Sequence, residues 1–427
     1  MRTVTLLSFF ITTISFGQNY TSYYLGNVSD VVTSPKGGVC LMGGATEHDE
    51  AMKWFLQQAD GGDVLVLRAT GSNGYNDYML NQLGVAINSV ETIVCNNANA
   101  SQEAYLQQKI NQAEAIWFAG GDQWTYISYW RNTPVDSLVN KAIAERNTVV
   151  GGTSAGMAIM GKYYFSAQNG TVTSAQALTN PYNSLVTVSD ELFLVNEHLS
   201  NVITDTHYDS PDRKGRHVTF LSRILQDYQA VGKGIACDEY TAVCIDTLGF
   251  CKIYGDYPTY DEDVYFIQPN CELSDLTPET CITSIPLTWN RGGQALKVYH
   301  AKGTTFGTQT FNLTDWTTGT GGVWEYWYVE NGVLNQTAGT VINCGLANSS
   351  NNLEMPLLVY PNPVIGNEIT IEGLTQFNCS ITDLQGKVYS MKLNENKIDV
   401  SNLSNGVYFL NIAGDSIQEL VKLVIAR

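Results

Sequence analysis

The sequence predicts an α/β fold, a mostly parallel sheet covered by helices, with a β-rich extension and a small C-terminal β-sandwich. Three observations carry that prediction. Short, wholly apolar strands alternate with helical patterns from residue 24 to about 250, the texture changes from about 252, and compact alternating stretches follow a polar linker. In order, Val39-Cys40-Leu41-Met42 reads as a strand ending in Gly43-Gly44, and Ala51 to Ala59 as an amphipathic helix. Val64 to Leu67 and Thr92 to Val94 are apolar strands, and Gln102 to Gln112 is helical. Ala115 to Ala119 is a strand ending in Gly120-Gly121, and Val135 to Glu145 is helical. Val149-Val150 lead into Gly151-Gly152, and Met157 to Phe165 reads as a helix. In parallel sheets ligands sit beyond the carboxyl ends of strands, so the glycine-rich strand ends are expected on one edge.

From about 252 to 345, Tyr, Thr, Asn and Gly dominate, which predicts a β-rich extension with an irregular Cys-bearing insert. Residues 346–356 read as a linker. Residues 357–427 hold alternating stretches at Ile369-Thr370-Ile371, Cys379 to Asp383, Gly406 to Ile412 and Leu420 to Ile425, the pattern of a small sandwich. Residues 1–18 combine Arg2, an apolar run and small residues at Ser15-Phe16-Gly17, the make-up of a secretory signal peptide. The expected domains are therefore 1–18, 19–345 and 357–427. No later stretch is apolar enough for a membrane-spanning segment. A net charge of -18 with no basic stripe excludes a nucleic-acid partner. Nine cysteines in an exported chain permit disulfides, and Cys271–Cys281 would close a short loop. With no C-x-x-C pair and five histidines, the sequence predicts no metal site and no cofactor.

Gly152-Thr153-Ser154-Ala155-Gly156 spells G-x-S-x-G between an apolar strand and a helix, the layout of a nucleophile elbow. A serine at a helix N-terminus has backbone N–H groups beside a developing oxyanion. Its hydroxyl needs a base, and the histidines are His48, His198, His207, His217 and His300. His207 ends the short strand Val202 to Asp205, which suits presentation at a strand's carboxyl end. Lys233 to Cys237 leads to Asp238-Glu239, either of which could hold the histidine. The order Ser154, His207, Glu239 puts the acid last, unlike the Ser, acid, His order of α/β-hydrolases.

Gly151-Gly152-Thr153-Ser154-Ala155-Gly156, Phe118-Ala119-Gly120-Gly121-Asp122-Gln123, Asp205-Thr206-His207-Tyr208 and Cys237-Asp238-Glu239-Tyr240-Thr241-Ala242 occur in the order seen in cyanophycinase and dipeptidase E-like serine peptidases. The region resembles that family over about 36–250. The resemblance implies a flavodoxin-like fold related to class I glutamine amidotransferases and a Ser154–His207–Glu239 triad. It implies an oxyanion hole from the N–H groups of Ala155 and Gly121. It further implies substrate contacts from Gln123, Asp205 and Thr206, with Arg213 and Arg216 matching two family arginines able to grip a carboxylate. Pro211 and Thr206 depart from the pattern, where the resemblance implies Arg and Gln, and the departures leave open whether cyanophycin is cleaved. The C-terminal segments Val359-Tyr360-Pro361-Asn362-Pro363, Asp383 to Val388 and Leu403 to Tyr408 resemble the type A sorting domain of the type IX secretion system.

The implied function is a secreted exopeptidase acting on aspartyl or β-aspartyl peptides, with the secretion machinery as partner and a homodimer compatible with the sequence. Two alternatives come from other classes. One is an inactive surface or glycan-binding protein using Trp316, Trp324, Tyr326, Trp327 and Tyr328, and the other an amidase or esterase on non-peptide substrates.

Overall fold

The computed structural model describes residues 18–344, 358–372, 377–383, 387–389, 393–394, 396–414 and 418–427. The predicted signal peptide, except its last residue, and the predicted linker lie outside the described residues. The chain divides into two compact units, Met1–Asn343 and Cys344–Arg427.

The first unit is built on two sheets. In the ten-stranded sheet the strands lie in the order Tyr20–Gly26, Ser89–Cys95, Asp63–Arg68, Ala115–Phe118, Val149–Thr153, Val39–Met42, Ala242–Ile245, Phe250–Tyr254, Gln309–Asn312 and Gly319–Thr320. The run from Ser89–Cys95 to Val39–Met42 is parallel. Burial on both faces explains its apolar sequence: Leu65 and Leu67 enter one core while Val64 and Val66 enter another. Each such buried side chain contributes roughly 1.5–3 kcal/mol. Helices Asp49–Gln58, Ala104–Gln112 and Pro134–Arg146 flank the sheet strands in sequence where the helical patterns predicted them. The last starts on a Thr133 cap with proline in its first turn, where a missing N–H costs nothing.

The second sheet shows how the β-rich extension is built into the domain. It runs Val333–Ala338, Val323–Glu330, Leu296–Lys302, Asp263–Pro269, Lys233–Cys237 and Val202–Asp205, with only the last two parallel. Strands from beyond residue 252 thus complete both sheets. Ile235 and Val264 join the core shared with the first sheet, while Ala236 and Tyr265 face the opposite side with Trp289 and Trp327. Trp316 and Trp327 of the proposed glycan-binding stretch are buried, and Trp324, Tyr326 and Tyr328 are half-buried, so the stripe is chiefly packing.

Three further expectations differ from the structure. The helix expected over 157–165 is a single turn, Ala155–Ala158, after which Tyr163 N donates to Val202 O and Tyr164–Phe165 pairs with Val188–Ser189. Tertiary partners claim that backbone before the helix can extend. Tyr20–Gly26, half-buried and polar, adds an antiparallel edge strand that the apolar pattern did not disclose. Cys271 is disulfide-bonded, as is Cys344, but Cys281 is a free buried thiol within reach of Ser222 Oγ, so no Cys271–Cys281 bridge exists.

The second unit has two four-stranded antiparallel sheets. Ile369, Ile371 and Ile398 of one meet Ile381, Leu410, Ile412 and Leu423 of the other in a shared core, giving a sandwich. Among the described residues no helix is long and apolar enough to cross a membrane.

Candidate active site

Ser154 stands between strand Val149–Thr153 and helix Ala155–Ala158 with φ 50° and ψ −116°. That backbone is unfavourable for an L-residue, at a cost on the order of 1–3 kcal/mol, and it persists only because its surroundings enforce it. The following glycine is one of those constraints. A Cβ on Gly156 would lie 2.0 Å from Phe118 O, so only glycine lets the turn close against the neighbouring strand.

The structure brings Ser154, His207 and Glu239 together, although the last two follow strands of the other sheet. The Ser154 hydroxyl donates to His207 Nε2 at 2.8 Å, and His207 Nδ1 donates to Glu239 Oε1 at 2.6 Å. The side chains of His207 and Glu239 are each about one quarter exposed, enough to meet a ligand. The backbone that aligns them comes from one short run. Met42 O accepts from Ser154 N at 3.1 Å, Gly43 O from His207 N at 2.8 Å, and Gly44 O from Tyr240 N, next to Glu239, at 3.2 Å. Gly44 has φ +119°, and a Cβ there would lie 2.4 Å from the His207 ring, so the imidazole rests directly on its backbone. Sequence reading marked this strand end as glycine-rich but missed its role. Asp209, also missed, accepts from Glu239 N at 2.9 Å.

Asp238, the other acid considered, is turned inward at 3% exposure, with Oδ2 accepting from Asp263 N at 2.8 Å. Burial pushes its carboxyl up to about 7, and the carboxylates of Asp209, Asp263 and Glu262 add to the rise. The remaining histidines are engaged elsewhere. His48 caps the helix Asp49–Gln58, His198 meets Thr247 O, and His300 lies between Asp263 and Glu325. His217 is buried, with Nε2 at 3.3 Å from Ile203 O.

The residues expected to touch substrate divide. Gly120 lies beside Ser154, since a Cβ there would sit 3.6 Å from Ser154 Cβ, and Gly121 follows on the exposed side. Ala155 begins the helix after the serine. Gln123 Nε2 donates to Phe165 O at 2.6 Å, and Arg213 Nη1 donates to Thr206 O at 2.9 Å, bracing the peptide before His207. Thr206 is buried. For Asp205 and Arg216 the structure corrects the expectation: at 3% and 4% exposure they pair bidentately, at 2.8 and 2.5 Å. Arg216 also meets Thr171 Oγ1 and Val172 O. An arginine so occupied is an internal tie for the loop and helix flanking His207 and is not free to grip a carboxylate.

Ser154 at a sharp strand-to-helix turn, joined by hydrogen bonds to a histidine and a carboxylate from a second sheet, is an arrangement suited to acyl transfer. Residues 45–250 match the model of Peptidase family S51, and residues 358–426 match that of the secretion system C-terminal sorting domain. The chain is 26% identical over 230 residues to cyanophycinase of Synechococcus elongatus, covering 52% of this chain and 66% of that protein. It is 25% identical over 166 residues to cyanophycinase of Trichormus variabilis, covering 39% of this chain and 50% of that protein. The chain therefore spans just under two thirds of the first relative's length and half of the second's. A solved peptidase from an acI-B1 Actinobacterium aligns at 16% identity and a TM-score of 0.39, covering 54% of this chain and 91% of its own. The sorting domain marks the chain for export by type IX secretion, to the cell surface or the medium.

Proposed function

We propose that this protein is an exported serine peptidase, exopeptidase-like, that cleaves aspartyl or β-aspartyl peptide bonds through an acyl-enzyme. The observation that carries the reading is His207 bridging Ser154 and Glu239 at 2.8 and 2.6 Å. His207 Nε2 takes the hydroxyl proton as Ser154 Oγ attacks the scissile carbonyl, and it later delivers that proton to the leaving amine. Glu239 fixes the tautomer that leaves Nε2 free to accept and stabilises the imidazolium once formed. The N–H groups of Ala155 and Gly121 receive the oxyanion. Water then enters along the same path, with His207 again as base, and releases the acid product and Ser154. The aspartyl preference rests on the family resemblance and on the name cyanophycinase carried by the relatives.

The test is product analysis by mass spectrometry on cyanophycin and a panel of α- and β-aspartyl dipeptides, beside simple esters and amides. Ser154→Ala should lower kcat by at least about 10³-fold while leaving the melting temperature close to wild type. Equal turnover by both proteins would end the reading, and turnover confined to the esters and amides would move it to the esterase or amidase class.

A further inference from the structure

We propose that Asp209, Asp238 and Glu262 form a calcium-binding site beside the loop that carries Glu239. Sequence motifs gave no hint of one, because the three come from separate connections. Asp209 follows strand Val202–Asp205, Asp238 follows Lys233–Cys237, and Glu262 precedes Asp263–Pro269. Folding nevertheless brings one carboxylate oxygen of each within 4.8 Å of the other two. Oxygens sharing one calcium ion lie about 2.3–2.6 Å from it, so they stand no more than about 5 Å apart.

A cluster of acids alone would not indicate an ion. The second observation is Asp238. It is 3% exposed, and Oδ1 has no hydrogen-bond partner although Oδ2 accepts from Asp263 N. A buried carboxylate oxygen without a donor is costly, and two further carboxylates near the same side chain make it more so. Among the described residues no Lys or Arg forms an ion pair with any of the three, although Lys302, which pairs with Asp261 and Asp263, attracts Glu262 from farther off and Arg213 attracts Asp209. A hard cation supplies the missing partner and offsets the mutual repulsion. Oxygen-only donors select such an ion over zinc or copper. Asp209 is exposed and Glu262 half-buried, which leaves an open side for the water ligands that complete calcium's shell. Asp209 Oδ1 also accepts from Glu239 N, so an ion held here would stiffen the loop that carries Glu239. The proposal does not depend on the peptidase reading.

The test uses the mature full-length chain, stripped with a chelator and titrated separately with calcium and magnesium by calorimetry and thermal denaturation. The expected result is one calcium per chain, a higher melting temperature with calcium, and a Kd for calcium weakened about tenfold or more in both Asp209→Asn and Glu262→Gln. These sites are at least partly open to water, so both variants should fold, and circular dichroism checks that. No calcium uptake by the folded wild type, tighter binding of magnesium, or uptake that survives either substitution would overturn the site.

Discussion

Ser154 and His207 both have positive φ, at 50° and 45°, in a pair that also shares a hydrogen bond. Strain at these two positions is maintained by their neighbours, and Gly44 is the neighbour with least tolerance. Gly44→Ala places a methyl group within 2.4 Å of the imidazole and demands a left-handed backbone of an L-residue. The variant should remain folded, with a melting temperature lowered by a few degrees, while kcat/KM falls about 10²-fold or more as the ring leaves the serine. Steady-state kinetics beside thermal melts separate the two effects, and unchanged kcat/KM would remove Gly44 from the positioning of His207. At this scale the sequence disclosed the serine, because a single motif contains both glycines that allow its turn. The strand pattern alone left Asp238 and Glu239 open, and only the family resemblance singled out Glu239, because adjacent residues at a strand end point in opposite directions and the packing against Asp263 decides which is inward.

Among the elements, the parallel strands were legible because burial on both faces leaves no polar alternation to misread. The single turn Ala155–Ala158 was not, since its end is set by Val202 rather than by any local breaker. The role of Arg216 was obscured for a related reason: its match to a family arginine implied a substrate contact, yet Asp205 lies one strand end away and takes both guanidinium arms. The helix Lys214–Tyr228 that carries Arg216 also buries His217, whose Nδ1 lacks a partner. Burial lowers the His217 pKa from 6.5 to about 4, with Asp205 and the Ile203 carbonyl only partly opposing the fall. At this imidazole the folded chain therefore binds fewer protons than the unfolded chain between those values. The contribution of this group to stability is complete above about pH 6.5 and is lost as pH drops towards 4, by on the order of 2–3 kcal/mol, while Asp238 and Glu114, whose carboxyls burial pushes up to about 7, act in the opposite direction. Denaturant unfolding of wild type and His217→Asn at a series of pH values should show the two stability curves diverging by that amount. An identical slope in the variant would assign the acid sensitivity to other groups.

Across the whole chain, two units carry separate tasks, and each has its own core. Ending the chain at residue 357 keeps Cys344, which is disulfide-bonded, and removes the residues matched as a sorting domain. The shortened protein should keep the melting transition of the first unit and at least about half of the wild-type kcat/KM, as expected for a unit with its own core. In the cell it should accumulate before the outer membrane instead of reaching the surface or medium, as fractionation and immunoblotting would reveal. Loss of the folded state on truncation would mean that the sandwich supports the first unit. Export also explains why a chain with nine cysteines can carry a disulfide, though the seven free thiols, six of them buried, behave mainly as small core side chains.

The carbonyls of Met42, Gly43 and Gly44 give Ser154, His207 and Tyr240, the residue after Glu239, a common datum, like a jig that locates three parts from one edge. Errors in that datum are shared: a shift of the peptide run carries all three segments along and cannot detune one distance while sparing the others. Damage to strand Val39–Met42 should therefore register as concerted failure of the relay, whereas changes on the outer rim can be absorbed one at a time.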